Sequence, residues 1–332
     1  MIIAIPDDYH GVVPTLGCLS KLSGHTVRIF RDAAPPADRL VRQLQDAEII
    51  VPIRERTRYT REIIEQLSRV RLLSQTGRGT RHIDVDACTE RGIAVAAGSH
   101  SSPHTVAEHT WALILSSLRR IAEDAALMRR GELRSTFSAP LRGRTLGIFG
   151  LGEIGKLVAA TGRSFGMRVL AFGREASAAA ARAAGYDIAA SKTELFEQAD
   201  VLCVLARLSD ATRGIVTAQD LARMKPAALL VNTARAELIA PGALAEALGK
   251  GRPGFAAVDV YENEPVLNGE HPLLKMDNAL CTPHTAWLEK ETYELYFDEA
   301  FDNILAFIGG SPINVVNPEV FARPSQKVIR EL

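Results

Sequence analysis

Cysteine is scarce: four residues in 332, Cys18, Cys88, Cys203 and Cys281, widely separated and without a C-x-x-C pair. That pattern argues against a disulfide framework and a zinc cluster, and suits reduced packing residues. Charge of either sign is not in excess, because 39 Lys plus Arg balance 39 Asp plus Glu. Without a general field there is no electrostatic case for nucleic acid or an anionic membrane as partner, so any anion binding has to be local. No stretch reaches the roughly 18 apolar residues of a membrane helix, and Met1 to Pro6 has neither a basic segment nor a long apolar run. A cytoplasmic location is therefore expected. Among the histidines only His100 and His104 stand at H-x-x-x-H spacing, in a Ser-Pro-rich stretch, and no metal site is predicted.

What is present is alternation. A chain of 332 residues exceeds what one core usually supports, so two domains are expected. Short β-rich runs alternate with helical patterns, the signature of an α/β fold with parallel sheets covered on both faces. Strands are predicted at 2–5, 26–30, 49–51, 72–74 and 94–96, with helices at 37–44 and 60–67. The alternation restarts at Thr145, with six strands at 146–149, 169–172, 201–205, 229–232, 256–260 and 279–282, as in a dinucleotide-binding Rossmann fold. Residues 105–130 contain no Pro or Gly and predict one long helix crossing between the domains. A second long helix is predicted at 289–308, ending at Gly309-Gly310 and returning the chain. The expected arrangement is two doubly wound parallel-sheet domains, one discontinuous (1–100 and 287–332) and one inserted (101–286).

Gly150-Leu-Gly152-Glu153-Ile154-Gly155 follows the apolar run 146–149 and opens a helical stretch, so the G-x-G-x-x-G pattern stands in its required strand-turn-helix setting. The first glycine permits the tight turn, the second lets backbone approach a pyrophosphate, and the third allows close helix packing. The next strand normally ends in an acid that takes both ribose hydroxyls of NAD. Here it ends Phe172-Gly173-Arg174-Glu175. Arg174 suits a 2′-phosphate and Glu175 suits the hydroxyls, so the cofactor is NAD or NADP.

Three further segments follow strands: Val231-Asn-Thr233-Ala234-Arg235, Val258-Asp259-Val-Tyr-Glu-Asn-Glu264-Pro, and Thr282-Pro-His284-Thr-Ala-Trp287. Ligands of open α/β sheets bind beyond the carboxyl ends of strands, which is where these residues fall. In order, with the Gly77 to Asp84 loop and Thr105-Val-Ala-Glu, they resemble the D-isomer-specific 2-hydroxyacid dehydrogenase family, phosphoglycerate dehydrogenase-like members included. The resemblance implies an NAD(P)-binding Rossmann domain inserted in a flavodoxin-like substrate domain, and a small-molecule 2-keto or D-2-hydroxy acid substrate. It also implies a homodimer built around the crossing helix. Arg235 would hold the substrate carboxylate, His284 would act as acid and base, and Glu264 would orient it. Thr105, Thr233, Ala234 and Asp259 would line the cofactor, with Asp259 near the carboxamide. Backbone N–H groups around Arg78 and Gly79 would meet the substrate.

The chain departs from the family pattern in places. Ala236 replaces a usual glycine, which would reshape the turn after Arg235. Arg54, Arg56, Arg78 and Arg81 make an unusually basic pair of loops, suited to a second anionic group on the substrate or simply to solvent. Trp287 suits a wall of the substrate pocket, whereas Tyr293, Tyr296 and Phe297, at i, i+3 and i+4, suit a core. An NAD(H)-sensing regulatory protein on the same fold is the alternative reading. A formate dehydrogenase fits less well, since those enzymes carry glutamine where Glu264 stands.

Overall fold

Runs of β-branched and aliphatic residues too short for helices, such as Ile2–Ile5 and Val201–Val204, can bury both faces only in a parallel sheet covered on both sides. The computed structural model describes residues 1–33, 35–133 and 137–322 and contains two such sheets. The chain divides into two units, Met1–Ser101 with Leu288–Leu332, and Ser102–Trp287.

The first unit has strands β1 (Ile2–Ile5), β2 (Thr26–Ile29), β3 (Ile49–Ile50), β4 (Leu72–Gln75) and β5 (Ala94–Ala97), with helices α1 (Ala37–Leu44), α2 (Arg61–Gln66) and α3 (Val85–Glu90). All pairs are parallel, in the order β2-β1-β3-β4-β5, the flavodoxin-like arrangement. Leu40, Leu44, Ile50, Ile64, Leu73 and Val95 pack together on one face.

Past the end of β1, Asp7 is buried in a left-handed conformation (φ 65°), and Arg56 donates to its backbone carbonyl at 2.7 Å. Burial pushes the Asp7 carboxyl up to about 6, against the lowering pull of Thr57 and Arg56. The native state then binds the proton more tightly than the unfolded chain between about 3.8 and about 6, so stability falls as pH rises through that window. Asp7→Asn, which tolerates the same backbone, is expected to remove the Asp7 share of this decline, leaving that of Asp8, whose carboxyl burial also raises, and to stabilise the protein above it by about 1–3 kcal/mol. Urea denaturation at several pH values measures both effects.

The second unit opens with α4 (Pro103–Arg119) and α5 (Ile121–Arg129). This corrects the expectation of a single helix over 105–130. Arg120 adopts φ 56°, ψ 37°, ending α4 in the left-handed geometry usually supplied by glycine. Its strands are β6 (Thr145–Phe149), β7 (Arg168–Phe172), β8 (Asp187–Ile188), β9 (Val201–Val204), β10 (Leu229–Asn232), β11 (Phe255–Val258) and β12 (Ala279–Cys281). Helices α6 (Glu153–Ser164), α7 (Glu175–Ala184), α8 (Lys192–Gln198), α9 (Ala218–Arg223) and α10 (Ala243–Gly249) connect them. The sheet is parallel, ordered β12-β11-β10-β9-β6-β7-β8, so it holds seven strands where six are predicted. The unpredicted β8 is a two-residue, exposed edge.

Side chains alternate across this sheet as strand geometry demands. Phe149, Leu170, Leu202, Val204, Leu230 and Val258 join a core with α8, α9 and α10. Leu146, Ile148, Val169, Val201, Cys203 and Val231 join the opposite core with α4 and α6, where Trp111 Nε1 donates to the Val158 carbonyl at 3.2 Å.

The last helix, α11 (Lys290–Ile308), belongs to the first unit and is capped by Glu289, whose carboxylate accepts from the backbone N–H groups of Glu291 and Thr292. Tyr293, Tyr296 and Phe297 are buried on it, as their spacing predicts. Cys18, Cys88 and Cys203 are buried free thiols. Among the described residues no helix is long and apolar enough to cross a membrane.

Candidate active site

In the second sheet β6 has β7 on one side and β9 on the other, so the strand order reverses beside its carboxyl end. That crevice is where open α/β sheets take ligands. The glycine-rich turn lies there, and each glycine has its own reason. Gly150 has φ +99°, and a Cβ on it would meet Ala206 backbone at 2.7 Å. A Cβ on Gly155 would meet the Gly150 carbonyl at 2.5 Å, whereas at Gly152 it would meet nothing within 4 Å. The first and third glycines thus close the turn, while the second leaves the open backbone that a pyrophosphate needs. Glu153 and Ile154 begin α6 directly behind it. The turn fits a dinucleotide.

Asn232↔Val258 and Val258↔Cys281 are register pairs, so β10, β11 and β12 end level with one another. Their exits carry Arg235, Asp259 and His284. Arg235 follows a turn in which Asn232 Nδ2 donates to the Arg235 carbonyl (2.9 Å) and Asn232 Oδ1 accepts from Ala234 N–H (3.0 Å). Ala236 opens a short 3₁₀ turn and is not among the positive-φ residues, so an alanine fits this position without backbone strain.

His284 sits at φ 53°, a conformation that a non-glycine side chain adopts only when its surroundings hold it there. Two carboxylates supply that hold. Glu264 Oε1 accepts from the Tyr261 backbone N–H at 2.7 Å, and its Oε2 lies 2.5 Å from His284 Nδ1. A carboxylate can only accept, so this assigns the Nδ1 proton to His284 and leaves Nε2 as the atom able to exchange protons with a ligand. Asp259 is fully buried, and its oxygens accept from Thr282 Oγ1 (2.5 Å), Thr285 N–H (2.9 Å) and Ala286 N–H (2.9 Å). Burial acts to raise the Asp259 carboxyl, but hydrogen bonds from His109, Thr282, Thr285 and Ala286 outweigh it and hold the group below the ordinary carboxylate range.

Sequence reasoning missed three members of this arrangement. His109 Nε2, on α4, lies 3.0 Å from Thr282 Oγ1 and 3.4 Å from Asp259 Oδ1. Its one sequence signal is the i, i+4 spacing from Thr105, which places both on one helix face. Thr110 bonds the buried Thr233 hydroxyl at 2.8 Å, and Tyr261 Oη donates to the Thr282 carbonyl at 2.9 Å. Asp259→Ala would strand two backbone N–H groups in the interior, at about 1–3 kcal/mol each. The expected result is a fall of about 2–5 kcal/mol in stability, read by chemical denaturation.

The remaining predicted residues lie elsewhere. Thr105 is near the start of α4, where its hydroxyl lies 2.8 Å from Ser102 Oγ. Gly173 and Arg174 follow β7, and Trp287 is buried at the end of the second unit. Arg54, Arg78 and Gly79 belong to the first unit. There Arg54 has φ 53°, its guanidinium stands 5.1 Å from the Tyr296 ring centre, and its Nη1 lies close over Gly77. Arg78 Nε donates to the Ser99 carbonyl at 2.5 Å. Arg56 is engaged by the Asp7 carbonyl, the Tyr293 hydroxyl and the Tyr9 ring.

Comparison with known proteins agrees with this architecture. The family described as "D-isomer specific 2-hydroxyacid dehydrogenase, NAD binding domain" matches residues 111–286. The glyoxylate reductase of Aeropyrum pernix is 36% identical over 296 residues, covering 86% of this chain and 88% of that protein. The D-3-phosphoglycerate dehydrogenase of Methanocaldococcus jannaschii is 36% identical over 249 residues, 74% of this chain but only 47% of that longer protein. Among solved structures, a phosphoglycerate oxidoreductase from Vibrio cholerae superposes with a TM-score of 0.89 at 44% identity, covering 93% of this chain and 99% of that one. With its glycine-rich turn, its two parallel sheets and these matches, the chain belongs to the D-isomer specific 2-hydroxyacid dehydrogenase family.

Proposed function

We propose that the protein reduces a 2-keto acid to a D-2-hydroxy acid, or runs the reverse oxidation, with NAD or NADP. The observation that carries this reading is the Glu264–His284 hydrogen bond, beyond the carboxyl ends of the same parallel sheet as a glycine-rich turn that fits a dinucleotide. The nicotinamide, when bound, supplies or accepts the hydride. His284 Nε2 gives a proton to the keto oxygen in reduction and takes it back in oxidation, while Glu264 fixes the ring and its tautomer. Arg235, always charged and fork-shaped, binds the substrate carboxylate and polarises the neighbouring carbonyl.

Asp259 acts on the His284 turn through Thr285 and Ala286, and the family resemblance adds a place for it beside the carboxamide. Thr105, Thr233 and Ala234 are assigned to the cofactor, and Arg54, Arg78, Gly79 and Trp287 to the substrate, on the same resemblance. The active form is proposed to be a homodimer. Ile121, Met128, Leu133 and Phe137 are exposed apolar side chains in and after α5, and a second copy would cover them.

A panel of glyoxylate, hydroxypyruvate, phosphohydroxypyruvate and bulkier 2-keto acids, assayed with NADH and with NADPH, tests the reading. Oxidation of either cofactor by at least one acid is expected. Tight cofactor binding with no turnover of any acid would contradict it.

A further inference from the structure

Position 173, where a dinucleotide fold usually places the acid that binds the adenosine ribose, is a glycine packed against Ser177. The Phe172 carbonyl accepts from Gly150 N–H at 2.9 Å, so the end of β7 lies against the first glycine of the turn. A Cβ on Gly173 would come within 2.6 Å of Ser177 Oγ and 2.9 Å of Ser177 Cβ. That hydroxyl accepts from the Leu151 N–H at 3.2 Å, so it belongs to the glycine-rich turn itself. The carboxylate of Glu175, two positions on, has its partner on its own helix. Its Oε1 pairs with Arg182 Nη1 at 3.0 Å, two turns further along α7. Arg174, between the two, is exposed beside the crevice.

From this geometry we infer that the protein selects NADP(H) over NAD(H), with Arg174 receiving the adenosine 2′-phosphate and Arg182 keeping the Glu175 carboxylate away from it. The inference rests on the reading that the second unit binds a nicotinamide dinucleotide. A ribose-binding carboxylate would repel a 2′-phosphate, and here position 173 carries none while the Glu175 carboxylate is paired with Arg182. An arginine at this place offers several N–H donors and a permanent charge to a dianion, an interaction that NAD cannot return.

Calorimetric titration of the whole chain with NADPH, NADH, 2′,5′-ADP and 5′-AMP tests this without relying on turnover. NADPH is expected to bind at least about tenfold tighter than NADH, and 2′,5′-ADP tighter than 5′-AMP by a similar factor. Arg174→Ala should remove most of that advantage and leave NADH affinity nearly unchanged. Arg182→Ala, which releases Glu175, should weaken NADPH without weakening NADH. Equal or tighter binding of NADH by the unaltered protein would overturn the inference while leaving the dehydrogenase reading intact, as would an equal loss for both cofactors in Arg174→Ala. Failure of all four ligands to bind would overturn both.

Discussion

His284→Ala is expected to lower kcat for keto-acid reduction by about 10²–10⁴-fold, the usual range for losing a positioned general acid. Cofactor affinity should stay within a factor of about two by calorimetry, because the glycine-rich turn and the α6 N-terminus are untouched. One ring atom decides this. Glu264 occupies Nδ1, so Nε2 alone is available to protonate the oxygen as charge develops on it. Alanine leaves that oxygen to water, which lacks both the orientation and the acidity of an imidazolium. A second consequence separates chemistry from folding. Asp259 anchors the turn through backbone N–H groups of Thr285 and Ala286, which the substitution leaves in place, so denaturant stability should change little.

Arg235→Ala is expected to fall hardest on kcat/KM. Two charge-assisted hydrogen bonds to a carboxylate are worth about 3–6 kcal/mol together, which corresponds to roughly 10²–10⁴-fold. Arg235→Lys should recover only a small part, since an ammonium keeps the charge but not the two-pronged geometry. The loss should shrink for a keto compound whose carboxylate is replaced by a neutral group, because that substrate keeps the carbonyl polarisation but has no carboxylate for the arginine to bind. A uniform loss across charged and neutral substrates would assign Arg235 to the fold of its turn, where Asn232 already grips its carbonyl. Steady-state kinetics on matched substrates distinguishes these outcomes.

The features legible in sequence were those whose physical demand is local. Gly150 and Gly155 could be read from spacing because a turn that leaves no room for a Cβ selects glycine whatever lies further off. The parallel strands could be read because burial on both faces leaves continuous apolar runs. The break between α4 and α5 was hidden because the left-handed residue is Arg120, which carries none of the signal that glycine would. The strand β8 was hidden because Asp187 and Ile188 are exposed and show no alternation. Arg235, Glu264 and His284 stood out through family resemblance, since a bond between residues twenty positions apart has no periodic signature. His109 and Asp259, far apart in the chain, are joined only by tertiary structure, and nothing in either segment announces the contact.

The reaction can be followed through the transferred hydrogen itself. The protein is incubated with a 2-keto acid and dinucleotide deuterated at the transferable nicotinamide position, and the product is analysed by mass and by chiral chromatography. The expected product is a D-2-hydroxy acid carrying deuterium at C2, formed rapidly by the unaltered protein and at a small fraction of that rate by His284→Ala. Product without deuterium, product of the L configuration, or an equal rate in the variant would contradict the proposed function.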